Sequence, residues 1–345
     1  MADIGTTYMY GPGKGEVNRE DVMNAIVNAD PFDTPLLNMA PKVPVNHTTV
    51  EWLEHTLDST SGVTAGRREG EPFTQDNVTV PSRKTNITMI FGQHVLVSET
   101  QQVVSPYGFT DTFLYEVMRK TRNVMRGIEW SLFRASGSSA SGEGTAATAG
   151  TARIMKSIQD FLSTANAPGT NNMHCDSNNI GGSNATASAM TLKENCVNTF
   201  LQVLYSEGGN PTHIFASPAA KRQISVFDGS ITTAGAAATV NLNATEQQIV
   251  RSVNSLVTDF GVVNVVLDRW VPQAANTALG AGNDLNGVVF FLELPRIQIG
   301  FLRPIRFKRL AEDGDRVRGM VVGELTLKVL AHKVHGKLYG VHNIA

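Results

Sequence analysis

Residues 50–98 read as one long two-stranded projection, and a chain that builds such a ribbon must find something outside its own core to cover it. A strand-like run, Thr49 to Leu57, leads into a charged, glycine-bearing tip at Gly66-Arg67-Arg68-Glu69-Gly70-Glu71. A second run returns, with Ile87, Met89, Phe91, Val95 and Val97 alternating against polar neighbours, the period of a half-buried strand. An isolated hairpin of this length is marginal in water because it buries little on either face. The pattern predicts a protein that packs against copies of itself.

A solitary long helix follows. Thr110 or Asp111 is a fitting N-cap after Pro106-Tyr107-Gly108. Phe113, Val117, Val124 and Ile128 form one stripe, flanked by Leu114, Met118, Thr121, Met125 and Leu132, while Arg119, Lys120, Arg122 and Arg126 fall largely elsewhere. About 25 residues at 1.5 Å each give a rod of roughly 38 Å. The helix runs out into Ser136-Gly137-Ser138-Ser139-Ala140-Ser141-Gly142, which has nothing to bury.

The remaining segments divide by composition. Residues 1–49 have the character of an arm: Gly11-Pro12-Gly13-Lys14-Gly15 breaks structure, a short helix fits Asn18 to Ala29, and Pro31, Pro35, Pro41 and Pro44 keep the rest extended. Beyond residue 153 the elements are short and mixed. Ile154 to Leu162 reads as a helix. Thr191-Leu192-Lys193-Glu194 is a capping box opening a helix with Cys196, Val197, Phe200, Leu201 and Leu204 inward and Gly208-Gly209 past its end. His213 to Ala216 is a short strand, and Ser217-Pro218 starts the next helix. Val262 to Val266 and Val288 to Leu292 have the all-apolar character of central strands. The tail from Ile297 to Val341 is strand-rich, with turns expected at Arg303-Pro304 and Asp313-Gly314-Asp315.

Composition narrows the function classes. The chain has 345 residues and a net charge of −2, which argues against wrapping nucleic acid on a positive surface. Its two cysteines, Cys175 and Cys196, are too few for a disulfide framework and lack metal-ligand spacing, so buried or incidental thiols are expected. Acidic Asp3 and the lack of an apolar leader argue against a secretory signal, and no apolar run reaches transmembrane length.

The candidate chemistry is thin. Gly11-Pro12-Gly13-Lys14-Gly15 lacks the spacing and the Ser/Thr of a phosphate loop. His332 and His335 are spaced for a shared metal only on a helix, and the strand-like context from Thr326 to Leu338 sends them to opposite faces. The Glu69/Glu71 and Asp313/Asp315 pairs flank glycines and read as turn residues. Asp259-Phe260-Gly261 copies a kinase tripeptide without any companion motif. No catalytic constellation emerges; the expectation is a non-enzyme with no cofactor and no metal. The mixed-sign hairpin tip fits either a solvated turn or a patch that pairs with a neighbouring copy.

Arm, hairpin, rod-like helix and trailing mixed region, in this order, resemble a tailed-bacteriophage major capsid protein of the Hong Kong 97 fold. Local words support a branch of major head proteins: Phe32-Asp33-Thr34-Pro35-Leu36, Glu51-Trp52 with Asp58, Glu69-Gly70, Asn86, Val97-Ser98, Gly208-Gly209, Pro218, Asp259-Phe260-Gly261, Leu302-Arg303-Pro304 and Gly314-Asp315. The turn from Ala311 to Asp315 is more acidic than that branch leads one to expect. The resemblance implies an α+β fold divided into an N-terminal arm (1–49), an extended β-hairpin loop (50–100), a peripheral domain with the spine helix (101–152 and 296–345) and an axial domain (153–295). It implies self-assembly into pentamers and hexamers of an icosahedral head enclosing double-stranded DNA, bound without sequence specificity. A separate scaffolding protein is expected, since fewer than fifty residues precede the hairpin, together with a portal and a possible decoration protein. The location implied is the virion, assembled in the host bacterial cytoplasm. Candidate contacts between subunits are Trp52, Arg67, Arg68, Glu69, Glu71 and Phe73 on the hairpin, and Arg119, Arg122 and Arg126 on the helix. Two other readings compete: an encapsulin-type compartment shell of the same fold, and a soluble α/β enzyme.

Overall fold

In the computed structural model, which describes residues 31–55, 69–70, 80–104, 111–134, 152–162, 172–174, 192, 194–225, 254–272, 287–311 and 314–341, three sheets are strung along one long helix. The arm contributes α1 (Pro35–Met39) and β1 (Lys42–Pro44). The ribbon is β2 (Thr49–Glu54) paired antiparallel with β3 (Ser82–Ile87), from Thr49 opposite Ile87 to Glu54 opposite Ser82. β4 (Met89–Ser98) and the short α2 (Glu99–Val103) lead to the spine helix α3 (Thr112–Arg134).

The hairpin is therefore built differently from its sequence pattern. The alternating run through Met89, Phe91, Val95 and Val97 is not its return limb. β4 pairs antiparallel with β11 (Arg316–Val329), with Met89 opposite Leu325 and Ser98 opposite Arg316. Phe91, Val95 and Val97 alternate because one face of that sheet lies on the core. Among the described residues Ser82–Ile87 return against β2, and the chain turns between sheets at Thr88.

A four-stranded sheet runs in the order β1-β10-β11-β4, where β10 spans Ile297–Arg309. Arg303-Pro304, expected as a turn, lies inside β10 at a register irregularity between Phe301 and Arg306. Proline lacks a ladder donor, and a bulge accommodates that loss as well as a turn does. Gly314 does bend the chain, at φ 68°.

The second sheet has six strands in the order β5-β12-β9-β6-β8-β7: β5 (Asn172–His174), β6 (His213–Ala216), β7 (Ser255–Thr258), β8 (Gly261–Leu267), β9 (Gly287–Leu292) and β12 (Gly336–Val341). Val288 to Leu292 are fully buried, as their all-apolar pattern requires of a central strand. β8 differs. It lies second from the edge, Val263 and Val265 point inward, and Val262 and Leu267 are exposed. β12 belongs to this sheet although the tail as a whole was expected in the peripheral domain; its pairing with β9 and β5 carries the chain across.

Two cores result. One gathers Leu36 and Leu37 of the arm, Ile128, Leu132 and Phe133 of the spine helix, the inner face of the four-stranded sheet and Phe215 and Phe290 of the six-stranded one. Phe133 sits 5.4 Å from Phe290 and 5.9 Å from Phe215, ring centre to ring centre. The other packs α5 (Glu194–Ser206) and α6 (Pro218–Ile224) on the opposite face, with Phe200 edge-on to Phe291 at 5.0 Å. Cys196, Val197, Phe200, Leu201 and Leu204 face inward, Gly208 ends the α5 region at φ 83°, and Ser217 Oγ caps α6 by accepting from Ala220 N. Within the first core, α4 (Ile158–Leu162) is shorter than expected, because Ser157 and Asp160 cap it only there. Cys196 is disulfide-bonded, which corrects the expectation of a thiol; Cys175, the chain's other cysteine, lies outside the described residues.

Candidate functional site

The hairpin root is held by buried polar groups. Where the chain leaves the four-stranded sheet at Thr88, β11 continues past its last partner in β4, and its backbone needs new partners. Asn86, fully buried, supplies them: its Nδ2 donates to Leu327 O (2.7 Å) and Lys156 O (3.2 Å), and its Oδ1 accepts from Lys156 N (2.9 Å). Thr326 Oγ1 donates to Ile87 O, and Thr88 N donates to Thr48 O. Thr88 Oγ1 donates to Glu324, which also receives Arg153 (2.6 Å) and Arg303 (2.8 Å). Burial opposes ionisation of Glu324, but Thr88 and the two guanidinium groups outweigh it and hold its carboxyl below the usual range. These bonds couple the direction of the ribbon to the sheet behind it.

A second clamp grips β2. His332 Nδ1 lies 2.6 Å from Glu54 Oε2, and Trp52 Nε1 donates to Glu54 Oε1. Burial again works against the Glu54 charge, and the bonds from His332 and Trp52 bring its pKa below the ordinary value. His332 and His335 are not on a strand: a 3-10 turn at His332–Val334, entered through Ala331 at φ 52°, separates β11 from β12. His335 is fully buried; its Nδ1 accepts from Glu293 N and its Nε2 faces Leu330 O. Burial lowers its pKa to about 4, so it is neutral.

The arm is anchored at the far end of the spine helix. Asp111 Oδ1 caps that helix by accepting from Phe113 N and Leu114 N. Its first half is only partly covered, while Val124, Ile128, Glu129, Leu132 and Phe133 are buried. Glu129 is an acid on the apolar face; its two oxygens accept from Leu36 N (2.7 Å) and Leu37 N (2.8 Å) at the start of α1. Asp268, just past the end of β8, accepts from Trp270 N at 2.8 Å, and its other oxygen is buried without a hydrogen-bond partner. Burial and the neighbouring Asp268 push the Glu129 carboxyl up to about 9, and burial raises Asp268 as well. Trp270 Nε1 and Arg269 in turn hold Asp33 O and the Asp33 carboxylate.

Of the expected contact residues, Trp52 is placed differently from the expectation that a neighbour covers it. At 8 % exposure it packs in its own subunit, 5.8 Å from Phe161. Glu69 is exposed beside Gly70 at φ 82°; Arg67, Arg68, Glu71 and Phe73 lie outside the described residues, as does the helix expected at Asn18 to Ala29. Arg119 pairs with Glu116 at 3.0 Å, Arg122 stacks over Phe32 and Arg126 over Trp270. All three line a groove of about 280 Å³ with Pro31, Phe32, Tyr115 and Met118. Among the described residues no cluster of His, Cys, Asp and Glu is arranged to hold a metal. Sequence reasoning missed Glu129, Asp268, Glu324 and the Glu54–His332 pair. The available signal was Glu129 falling four residues after Met125, on the buried face of the helix.

Residues 5–342 match the SU10 major capsid protein family. A major capsid protein of Escherichia phage Phieco32 is 29 % identical over 106 residues, an alignment covering 31 % of this chain and 30 % of that relative's length. The fold is shared with the capsid of cyanophage A-1(L), at TM-score 0.63 and 13 % identity over 95 % of this chain and 98 % of that one. It is shared too with the capsid of a native GTA particle (0.61; 12 %; 95 % and 97 %) and the SrpI encapsulin of Synechococcus elongatus (0.53; 11 %; 96 % and 95 %). Likeness at this identity establishes the Hong Kong 97-type capsid architecture, and the family match establishes which kind of protein wears it. The chain belongs to the SU10 major capsid protein family.

Proposed function

We propose that the protein assembles through its arm, ribbon and spine helix into pentamers and hexamers of an icosahedral head that encloses the double-stranded DNA of a tailed bacteriophage. The reading rests on the family match along nearly the whole chain. It is supported by the root of the ribbon, where bonds from Asn86, Glu324 and Glu54 fix two strands, while Leu53 in β2 and Val80 just before β3 stay exposed in the lone subunit. Weak contacts repeated around each subunit add by avidity while each stays reversible, so assembly errors anneal. Heterologous contacts that close into rings give capsomers.

The proposed division is the expected one with two amendments, the ribbon ending at 88 and β12 joining the axial domain: 1–49 is the arm, 50–88 the ribbon, 89–152 and 296–335 the peripheral domain, and 153–295 with β12 the axial domain. Glu69 at the tip and the basic edge of the spine helix, Arg119, Arg122 and Arg126, are the proposed meeting points between subunits, with Arg67, Arg68, Glu71 and Phe73. A separate scaffold, a portal and decoration proteins are the proposed partners, packaged DNA meets the shell without sequence readout, and assembly takes place in the host cytoplasm. An encapsulin-type compartment is the second reading, favoured by the Synechococcus likeness. Electron microscopy of particles purified from infected cells separates the two. DNA-filled icosahedral heads are expected; empty shells carrying a co-purifying enzyme would replace the head by the compartment.

A further inference from the structure

Among the described residues, two short crossings join the four-stranded sheet to the six-stranded one. Glu293–Arg296 links β9 to β10, and Leu330–His335 links β11 to β12. Each contains a 3-10 turn, Leu294–Arg296 in one and His332–Val334 in the other. The crossings lie side by side, with Leu330 N donating to Arg296 O at 2.9 Å. The second is entered through Ala331 at φ 52°, a conformation that costs energy for an alanine and persists only where neighbours hold it.

His335 is the side chain that ties them. It is fully buried, and both ring nitrogens are used. Nδ1 accepts from Glu293 N of the other crossing at 3.1 Å, and Nε2 lies 3.2 Å from Leu330 O of its own. Those partners fix the tautomer. A nitrogen that accepts from a backbone N–H carries no proton, so the neutral ring holds its proton on Nε2 and donates it to Leu330 O. A second proton would land on Nδ1. It would set N–H against N–H, cancel the bond between the crossings and bury a charge.

The groups around the ring do not rescue that charge. Burial alone opposes it, and so does Arg296, which is paired with Glu293 at 3.1 Å. His332 opposes it too, while Glu54, which favours it, is engaged by His332 at 2.6 Å and by Trp52. Asp160, on α4 against the second turn, accepts from Ser157 N and Oγ and lies in the field of Lys337 on β12. Lys333 is exposed, and Gly336 beside the ring is covered by Phe200 and Leu204 of α5, which carry no charge.

We propose that His335 is an acid-released clip, which ties the two crossings together while its Nδ1 is bare and loosens the joint between the sheets when Nδ1 takes a proton from solvent. No bond between heavy atoms changes. The clip belongs to the fold of the subunit, so it stands whether or not the shell reading holds.

Hydrogen exchange of the Glu293 and Leu330 amides in the full-length dispersed subunit, expressed as protection factors from pH 7.5 to 4, tests it. A freed histidine titrates near about 6.5, whereas burial lowers the clipped ring to about 4. The clip is therefore at full strength above about pH 6.5 and weakens as pH falls toward 4, because the open form takes up the proton more readily. Protection of both amides should fall by up to about tenfold per pH unit in that window, about a hundredfold in all, while amides inside β9 stay level. His335→Asn keeps an acceptor for Glu293 N and cannot titrate, so its curve should be flat. The proposal is overturned if wild-type protection is flat to pH 4, if the β9 amides fall with the crossings, or if His335→Asn follows the wild-type curve. If His335→Asn does not fold, nitrogen-15 NMR of wild-type protein labelled at histidine decides. One of the eight histidines should then be neutral at pH 5 with its proton on Nε2, and the absence of such a ring overturns the proposal.

Discussion

Replacing Asn86 by alanine should loosen the ribbon at its root more than any surface change can. The side chain is fully buried and serves four backbone groups: Leu327 O, Lys156 O, Lys156 N and the adjacent Ile87 N. Alanine leaves those groups without a side-chain partner in a place water does not reach. An unsatisfied buried polar group costs about 1–3 kcal/mol. Partial relaxation, or a water entering the small void, recovers some of the loss, so about 3–5 kcal/mol is expected in total. Urea unfolding of dispersed subunits, followed by near-UV circular dichroism, gives the number as a shift in midpoint at constant slope. Asn86→Asp should lose at least as much, since it keeps the acceptor but removes both donors and buries a charge. A loss below about 1 kcal/mol for Asn86→Ala would refute the claim that this amide replaces a missing sheet partner.

Three further outcomes follow from the same packing. Glu324 has a depressed pKa, so its stabilising pairs with Arg153 and Arg303 are present above the ordinary glutamate range and are lost as pH falls through its folded value; Glu324→Gln should be less stable at pH 7 and lose less on acidification in urea titrations. Gly336→Ala should destabilise by about 1–3 kcal/mol, because a Cβ there would lie 2.4 Å from Phe200 Cζ inside a buried core; equal stability by thermal unfolding would show that the ring moves freely. Trp52 emission, isolated by Trp130→Phe and Trp270→Phe, should not shift when particles are dissociated without unfolding, since Phe161 and its own core already cover it.

Much of the architecture was legible wherever a pattern has a local cause. The spine helix declared itself through its stripe and Asp111; the α5 face from Cys196 to Leu204, the strand at His213–Ala216 and the Ser217 cap lie where periodicity and capping chemistry put them. The failures share a cause. The period-two pattern of Met89 to Val97 shows that one face is buried but does not say against which strand; proximity in sequence points to β2, whereas the partner is β11, more than two hundred residues away. β8 shows the same limit, for apolar side chains do not reveal that the strand lies near a sheet edge. Glu129, Glu324 and Glu54 were invisible because each is defined by a partner distant in sequence. Their polarity alone reads as surface.

The central claim is that the ribbon beyond Glu54 and Ser82 belongs to the assembly and not to the fold of the subunit. Deleting Thr60 to Pro81 and closing with a short turn leaves every described pair of the β2–β3 ladder in place. Sedimentation velocity of the purified deletion protein, alongside the intact protein under assembly conditions, measures the consequence directly. The account predicts a folded subunit with native circular dichroism that sediments as monomers or small oligomers, without shells. Shells of normal yield and size from the deletion protein would contradict it.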